Sequence, residues 1–149
     1  MTLPVGLMDA IRIPAAYTSL ERVAAFVAGL AAQAGLPASA AYRLRLATDE
    51  IVSNIIMHGY GEGPGEIEVC GDVTCDYVWL RVDDRAPPFD PRALTHQPRP
   101  AISVPGAAKP GGFGLYLVRQ AVDEFSYEFA HGTNRNTLRI SRNHSGRCS

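Results

Sequence analysis

A carboxylate and a carboxamide stand four residues apart in the stretch from residue 44 to residue 60, at Glu50 and Asn54. On a helix that turns about 100° per residue, both side chains and His58, four residues further on, lie along one stripe. An amide oxygen there can hold Mg²⁺ while the carboxylate orients a nucleophile. Apolar residues flank the stripe, and burying such groups without partners is unfavourable. The stripe therefore faces a ligand or, as the alternative, caps neighbouring elements of the core.

A second polar arc runs along the same predicted helix. It consists of Arg45, Asp49 and Ser53, again spaced by four residues. We interpret this arc as an ordinary solvated face.

Asp84 follows an apolar run and precedes a segment that contains several prolines. A carboxylate there, in an apolar pocket formed by Ala86, Pro88 and Phe89, could accept a hydrogen bond from the exocyclic amine of adenine. Taken alone, an aspartate in such a place is more often a turn residue.

Glycines at Gly111, Gly112 and Gly114, with Phe113 between them, open a predicted helix directly after Lys109-Pro110. Glycine lets the backbone approach a phosphate closely, and a helix N-terminus favours anions. The alternative is a tight entry from loop to helix. Three features follow one another in the sequence: the Glu50–Asn54 pair, Asp84 and the glycine segment, with a long loop between the second and the third. Together they indicate a nucleotide site more specifically than any one of them does.

The elements that must position these residues are predicted from hydrophobic period, glycine and proline. A proline-rich segment near residues 87–111 has almost no periodic pattern, which is typical of a functional lid or of disorder. The predicted elements are a strand at 8–14, helices at 20–34 and 37–58, strands at 67–73 and 77–82, a lid at about 87–111, a helix at 115–122, strands at 124–129 and 136–140 around a turn at 131–134, and a frayed tail from 142.

This order predicts an α+β two-layer sandwich, with a mixed, mostly antiparallel sheet covered on one face by helices. The length of 149 residues predicts one domain over residues 1–149.

Bulk properties exclude some classes of function. A net charge of −1 without a long basic run argues against nucleic-acid binding. We find no signal peptide and no apolar stretch that could span a bilayer, so we expect a cytoplasmic protein without a membrane partner. The cysteines form an odd set without CxxC spacing and are expected to be reduced thiols, at Cys70, Cys75 and Cys148.

At these residues the chain resembles the GHKL ATPases. The segment from Glu50 to Asn54, followed by His58-Gly59-Tyr60, is similar to their N box. The segment from Asp84 to Pro91 is similar to their first glycine box, and Gly112-Phe113-Gly114-Leu115 to their second. Within that superfamily, the length and the two preceding helices resemble the anti-sigma-factor serine kinases of the RsbW and SpoIIAB type. The resemblance covers residues 11–140.

The resemblance implies a Bergerat ATP-binding fold with an ATP lid, ATP as substrate, Mg²⁺ as cofactor and possible homodimerisation. By position, Glu50 would be the general base, Asn54 the Mg²⁺ ligand and Asp84 the acceptor for the adenine amine. Gly112 and Gly114 would approach the phosphates. Thr137 matches a threonine that supports the adenine through water.

The chain departs from the family pattern in two respects. Ala86 stands where family members usually have glycine, which adds a methyl group beside the expected adenine. The lid lacks a basic cluster, so Lys109 and Arg99 are its only cations near the phosphates. The charge of the γ-phosphate would then fall mainly to Mg²⁺ and backbone amides. His58 is expected to stabilise the helix end or the lid hinge.

The leading hypothesis is a serine-protein kinase that is also an anti-sigma factor, with an antagonist protein and a sigma factor or other regulated protein as partners. One alternative is a nucleotide-gated module that sequesters a partner without phosphorylating it, although such a module would not need Glu50. The other is a detached ATPase domain of a sensor histidine kinase. The first helix, at residues 20–34, has no histidine, which argues against this last alternative.

Overall fold

The helices of the computed structural model, which describes residues 9–92 and 114–142, begin and end close to the predicted positions. Helix α1 spans Leu20–Ala34 and stops at Gly35, whose φ of 68° suits glycine. Helix α2 spans Ala38–Asn54, and α3 spans Gly114–Ala121. A short 3-10 turn at Tyr17–Ser19 precedes α1. These helices confirm the helical part of the predicted order.

The predicted second helix changes its geometry directly after Asn54. Residues Ile55–Gly59 form a π-helix rather than a continued α-helix, and the Tyr60 amide donates to the Ile55 carbonyl at 2.8 Å. A π-helix segment of this kind widens the helix locally and is frequent at functional sites. The sequence gives no separate signal for it.

Five strands form one antiparallel sheet in the order β1-β2-β3-β5-β4. The sheet is covered by helices on one face, as predicted. The last strand of the chain, β5, lies between β3 and β4, so the sheet is completed by a strand from the C-terminal hairpin. The bounds are β1 Asp9–Pro14, β2 Glu66–Val73, β3 Tyr77–Asp84, β4 Glu124–Ala130 and β5 Thr133–Ser141.

Alternation along the central strands decides which residues face the helices. In β3 the buried positions are Val78, Leu80, Val82 and Asp84, and the intervening residues are partly exposed. Successive strand residues point to opposite faces, so the first three belong to the core beneath the helices and Asp84 continues their row. Residues opposite each other across an antiparallel pair share a face, which extends the row into β5.

Helix α2 lies between α1 and α3 and packs against both. This arrangement corrects the prediction that Arg45, Asp49 and Ser53 form a solvated arc. Arg45 is exposed, but Asp49 is half-buried and Ser53 is buried. A helix with a neighbour on each side has a wider buried arc than a helix with one apolar face.

Two further findings concern thiols and membranes. Cys70 is free and buried, in agreement with the reduced thiol expected there. Among the helices of the described residues, none combines the length and the apolar character needed to cross a membrane. Most of the predicted lid and the tail from residue 143 lie outside the described residues.

Candidate functional site

Asn54 is the last residue of α2 and is 1% exposed. Within the described residues, neither its amide nitrogen nor its amide oxygen has a hydrogen-bond partner. Buried side-chain polar atoms are nearly always bonded, so a fully unbonded buried amide requires an explanation. Glu50 lies one turn earlier on the same side of α2 and is half-buried. The predicted pair is therefore present at the C-terminal end of this helix.

Asp84, at the end of β3, is 3% exposed on the helix-covered face. Its Oδ1 accepts two hydrogen bonds, from the Ala86 amide and from Asn134 Nδ2, both at 2.9 Å. Among the described residues, no donor reaches Oδ2, so this oxygen can accept from a ligand. Burial raises the pKa of Asp84, and the two donors to Oδ1 oppose that rise because they stabilise the ionised form.

Asn134 was missed by the sequence prediction, which placed it in the turn at 131–134. The turn consists only of His131 and Gly132, at φ 54° and 74°, and β5 begins at Thr133. Asn134 is therefore a strand residue, 1% exposed and paired with Asp84 across β3 and β5. The sequence did contain a signal for this, because a glycine such as Gly132 is typical of a two-residue hairpin turn. A turn of two residues would have placed the start of β5 earlier in the sequence.

Two contacts join the end of α2 to the loop after Asp84. The His58 ring stacks on the Phe89 ring, with centroids 5.5 Å apart and planes 24° apart. A Cβ added to Gly59 would lie 3.3 Å from the Ala86 Cβ, so the Ala86 methyl group faces Gly59. These contacts bring Asn54 and Asp84 to the same end of the domain. The extra methyl group at position 86 is thus accommodated by a glycine.

Helix α3 extends towards the same end. The Arg43 guanidinium donates from Nε to the carbonyl of Ala121, the last residue of α3, at 3.3 Å. Since α3 packs along α2 and ends beside Arg43, its first residue, Gly114, lies in the direction of Glu50 and Asn54. The other predicted phosphate-binding residues lie outside the described residues, namely Lys109, Gly111, Gly112 and Phe113.

Thr137 is not brought together with Asp84. In β5 it stands opposite Arg81, whose side chain belongs to the face that the helices do not cover. The neighbouring Asn136 stands opposite Val82 on the helix-covered face and is 2% exposed. Its Oδ1 is buried and has no hydrogen-bond partner within the described part of the chain. Asn136, and not Thr137, therefore shares a face with Asp84.

A cleft of about 560 Å³ opens at this end of the sheet, towards the face without helices. Acidic and basic side chains line it, and Asp84 is among them. Asp83 lies 3.5 Å from Arg81 Nε and 3.2 Å from Arg135 Nε. Partly exposed pairs of this kind contribute little free energy to folding.

The model of the histidine kinase-like ATPase domain matches residues 13–142. The chain belongs to this family. The serine-protein kinase RsbW of Listeria innocua is 29% identical over 121 residues, which are 79% of this chain and 76% of that protein. The serine/threonine-protein kinase BtrW of Bordetella bronchiseptica is 34% identical over 98 residues, 65% of this chain and 68% of that one.

The fold agrees with this membership. A crystal structure of the RsbU and RsbW domains of a Mycobacterium tuberculosis protein superposes with a TM-score of 0.61 at 22% identity. The match covers 91% of this chain and 32% of that longer chain.

Proposed function

We propose that this protein is an ATP-dependent serine-protein kinase that acts as an anti-sigma factor in a partner-switching module. The observation that carries the proposal is the buried amide of Asn54, which has no hydrogen-bond partner among the described residues. It lies one turn after Glu50 and directly before the π-helix, in which His58 and Gly59 contact the loop after Asp84. Burying such an amide without a partner is unfavourable in a domain that binds nothing. A ligand on the helix-covered face accounts for it.

Recognition of adenine is assigned to the sheet. Asp84 Oδ2 accepts from the exocyclic amine, since Oδ1 is already occupied by two donors. Ala86 and Phe89 supply apolar surface beside the base. Asn136 takes the supporting role that the resemblance gave to Thr137, because its amide lies on the face that Asp84 occupies. An amide can donate and accept at the same time, which suits the edge of a purine.

Phosphate binding is assigned to the end of the domain where α2 and α3 meet. Gly114 opens α3 there, and a helix N-terminus favours anions. The segment before it, with Lys109, Gly111, Gly112 and Phe113, completes this assignment and remains a prediction. Asn54 fits a hard cation such as Mg²⁺, because its oxygen is buried and has no partner in the described residues. The ion, when bound, supplies positive charge to the phosphate oxygens.

Glu50 is assigned the transfer step. It accepts the proton of a serine hydroxyl on an antagonist protein while that oxygen forms a bond to the γ-phosphorus. The bond between the γ-phosphorus and the bridging oxygen of ATP breaks, and ADP leaves. A carboxylate on a helix that is held on both sides is well placed for this step, since its position is fixed before substrate binds.

The named relatives support the kinase assignment, since RsbW is named a serine-protein kinase and BtrW a serine/threonine-protein kinase. The partners that follow are an antagonist protein with a phosphorylatable serine and a sigma factor or other regulated protein. A homodimer and a cytoplasmic location are part of the same proposal.

The direct test incubates the protein with γ-labelled ATP, Mg²⁺ and the candidate antagonist. We expect labelled phosphoserine on the antagonist. A protein that binds ATP and the antagonist but transfers no label would be a sequestering module, and the kinase assignment would be wrong.

A further inference from the structure

Asn134 has no capacity left for a ligand. Its Nδ2 donates to Asp84 Oδ1 at 2.9 Å, to the Ala86 carbonyl at 3.0 Å and, more weakly, to the Pro87 carbonyl at 3.3 Å. Its Oδ1 accepts from the Phe89 amide at 3.1 Å and from the hydroxyl of Tyr127. An amide group offers two hydrogens and two lone pairs, and all are used. Asn134 can therefore act on a nucleotide only through other residues.

We infer that Asn134 is a positioning residue for adenine recognition, which fixes the rotation of the Asp84 carboxylate and ties it to the loop at Ala86–Phe89. The inference rests on the proposed function, because it concerns the residue proposed to accept from the adenine amine. Asn134 occupies one carboxylate oxygen and leaves the other for the base. Its three further bonds to the loop hold Ala86, Pro87 and Phe89 in register with Asp84.

The orientation of the Asn134 amide is itself determined. The Phe89 backbone N–H can only donate, so the atom facing it must be the oxygen. Tyr127, from β4, donates to the same oxygen. Burial raises the pKa of Tyr127, so its hydroxyl keeps the proton at neutral pH. With Oδ1 fixed by two donors, Nδ2 must face Asp84.

Asn134 also affects the charge of Asp84. The carboxylate is buried, which favours its protonated form, and the donor from Asn134 favours the ionised form. The ionisable neighbours of Asp84 include Asp83, beside it in β3, and Tyr127. Neither donates to Asp84, so removal of Asn134 leaves the Ala86 amide as the donor to Oδ1 that the described residues supply.

The experiment measures adenosine binding as a function of pH, since adenosine carries no phosphate to titrate. Asn134→Ala should weaken adenosine binding about tenfold or more at neutral pH, the loss typical of one hydrogen bond to a charged group. The pH below which binding fails should move upwards. Tyr127→Phe should shift both quantities in the same direction by less, because the Phe89 amide still orients Asn134. Ser126→Ala, beside Tyr127 and exposed, is the control.

The outcomes separate the two proposals. Wild-type protein that binds neither adenosine nor ATP would overturn the proposed function and the positioning role with it. If the Asn134→Ala and Tyr127→Phe variants fold, bind adenosine as tightly as the wild type and keep its pH midpoint, the positioning role alone would be overturned. If Asn134→Ala does not fold, the Tyr127→Phe variant provides the test. A pH midpoint of adenosine binding in Tyr127→Phe that is identical to the midpoint in Ser126→Ala would refute the inference.

Discussion

Gly59 and Ala86 face each other where the end of the π-helix meets the loop after β3, and each leaves room for the other. A Cβ on Gly59 would lie 3.3 Å from the Ala86 Cβ and 3.6 Å from Ile55 Cγ2. The two positions therefore share one small space. The methyl group of Ala86 packs against Gly59, so the glycine at position 59 accommodates the departure at position 86.

This contact predicts an energetic coupling between the two positions. Gly59→Ala should be less favourable with Ala86 present than in the Ala86→Gly background, because the new methyl group needs the space that Ala86 occupies. We expect a coupling free energy of about 0.5–1 kcal/mol. Urea denaturation of the wild type, both single variants and the double variant measures it. Additive changes in the free energy of unfolding would show that the two residues do not compete for space.

Removing the carboxylate of Glu50 should separate binding from transfer. Glu50→Gln and Glu50→Ala should lower phosphotransfer to the antagonist by about 10²-fold or more, as expected for loss of a general base, with little change in ATP binding. Asp49→Asn is the matched control, because Asp49 is the adjacent half-buried carboxylate and pairs with Arg45 at 3.6 Å. Equal transfer rates in the Glu50 variants and the wild type would exclude Glu50 as the base.

The amide of Asn54 should matter for the metal-bound triphosphate and not for the base. Asn54→Ala should weaken Mg-ATP binding far more than adenosine binding, because an amide oxygen is a ligand for a hard cation. Ser53→Ala, at a buried polar position one residue earlier, controls for packing at the end of α2. Calorimetric titration of both ligands gives the comparison. Equal weakening of the two would mean that Asn54 acts on folding.

Asp84 should distinguish adenine from guanine, which presents a carbonyl where adenine presents the amine. An unsatisfied buried acceptor costs about 1–3 kcal/mol, so GTP should bind at least tenfold more weakly than ATP. Asp84→Asn should reduce the difference in affinity between ATP and GTP, because it should weaken ATP binding and strengthen GTP binding. Its amide oxygen would stay with the two donors to Oδ1, which turns the NH₂ group towards the base. Comparable wild-type affinity for the two nucleotides would contradict the assignment of Asp84.

Asn136 and Thr137 offer a test on adjacent residues that face opposite sides of the sheet. Asn136→Ala should weaken adenosine binding severalfold, because it removes a buried Oδ1 that has no partner among the described residues and lies on the face of Asp84. Thr137→Ala should leave adenosine binding close to the wild-type value, since Thr137 stands opposite Arg81 on the other face. Fluorescence or calorimetric titration of the two variants is sufficient. The reverse order of effects would restore Thr137 to the site.

Strongly periodic segments could be predicted from sequence, because the spacing of their apolar residues alone identifies a helix or a strand. The apolar period of α1, ended by Gly35, predicted that helix to its last residue. The alternation in β2 and β3 predicted the hairpin that carries Asp84. Glu50 and Asn54 could be paired in advance because four residues on a helix always share a side.

The faces on which the side chains of β5 lie were harder to predict, because successive residues of a strand point to opposite faces of the sheet. An error of one position moves a side chain from the core to the solvent face. Thr137 was taken by position from the resemblance, and its neighbour Asn136 is the residue on the face of Asp84. Asn134 was placed in the turn at 131–134, although β5 begins at Thr133. Ser53 was misjudged for another reason, since its burial depends on helices packed on both sides of α2. Such neighbours are far away in the sequence and leave no local pattern.

The position of β5 between β3 and β4 has a consequence for the synthesis of the protein. Asp84 is made early, whereas Asn134, which pairs with it, emerges from the ribosome only with the second strand of the C-terminal hairpin. Until then, the side of β3 that pairs with β5 is an unpaired sheet edge, and its N–H and C=O groups can bond to other strands. A nascent chain shorter than this has neither the strand that pairs with the open side of β3 nor the Asn134 amide that donates to the Asp84 carboxylate.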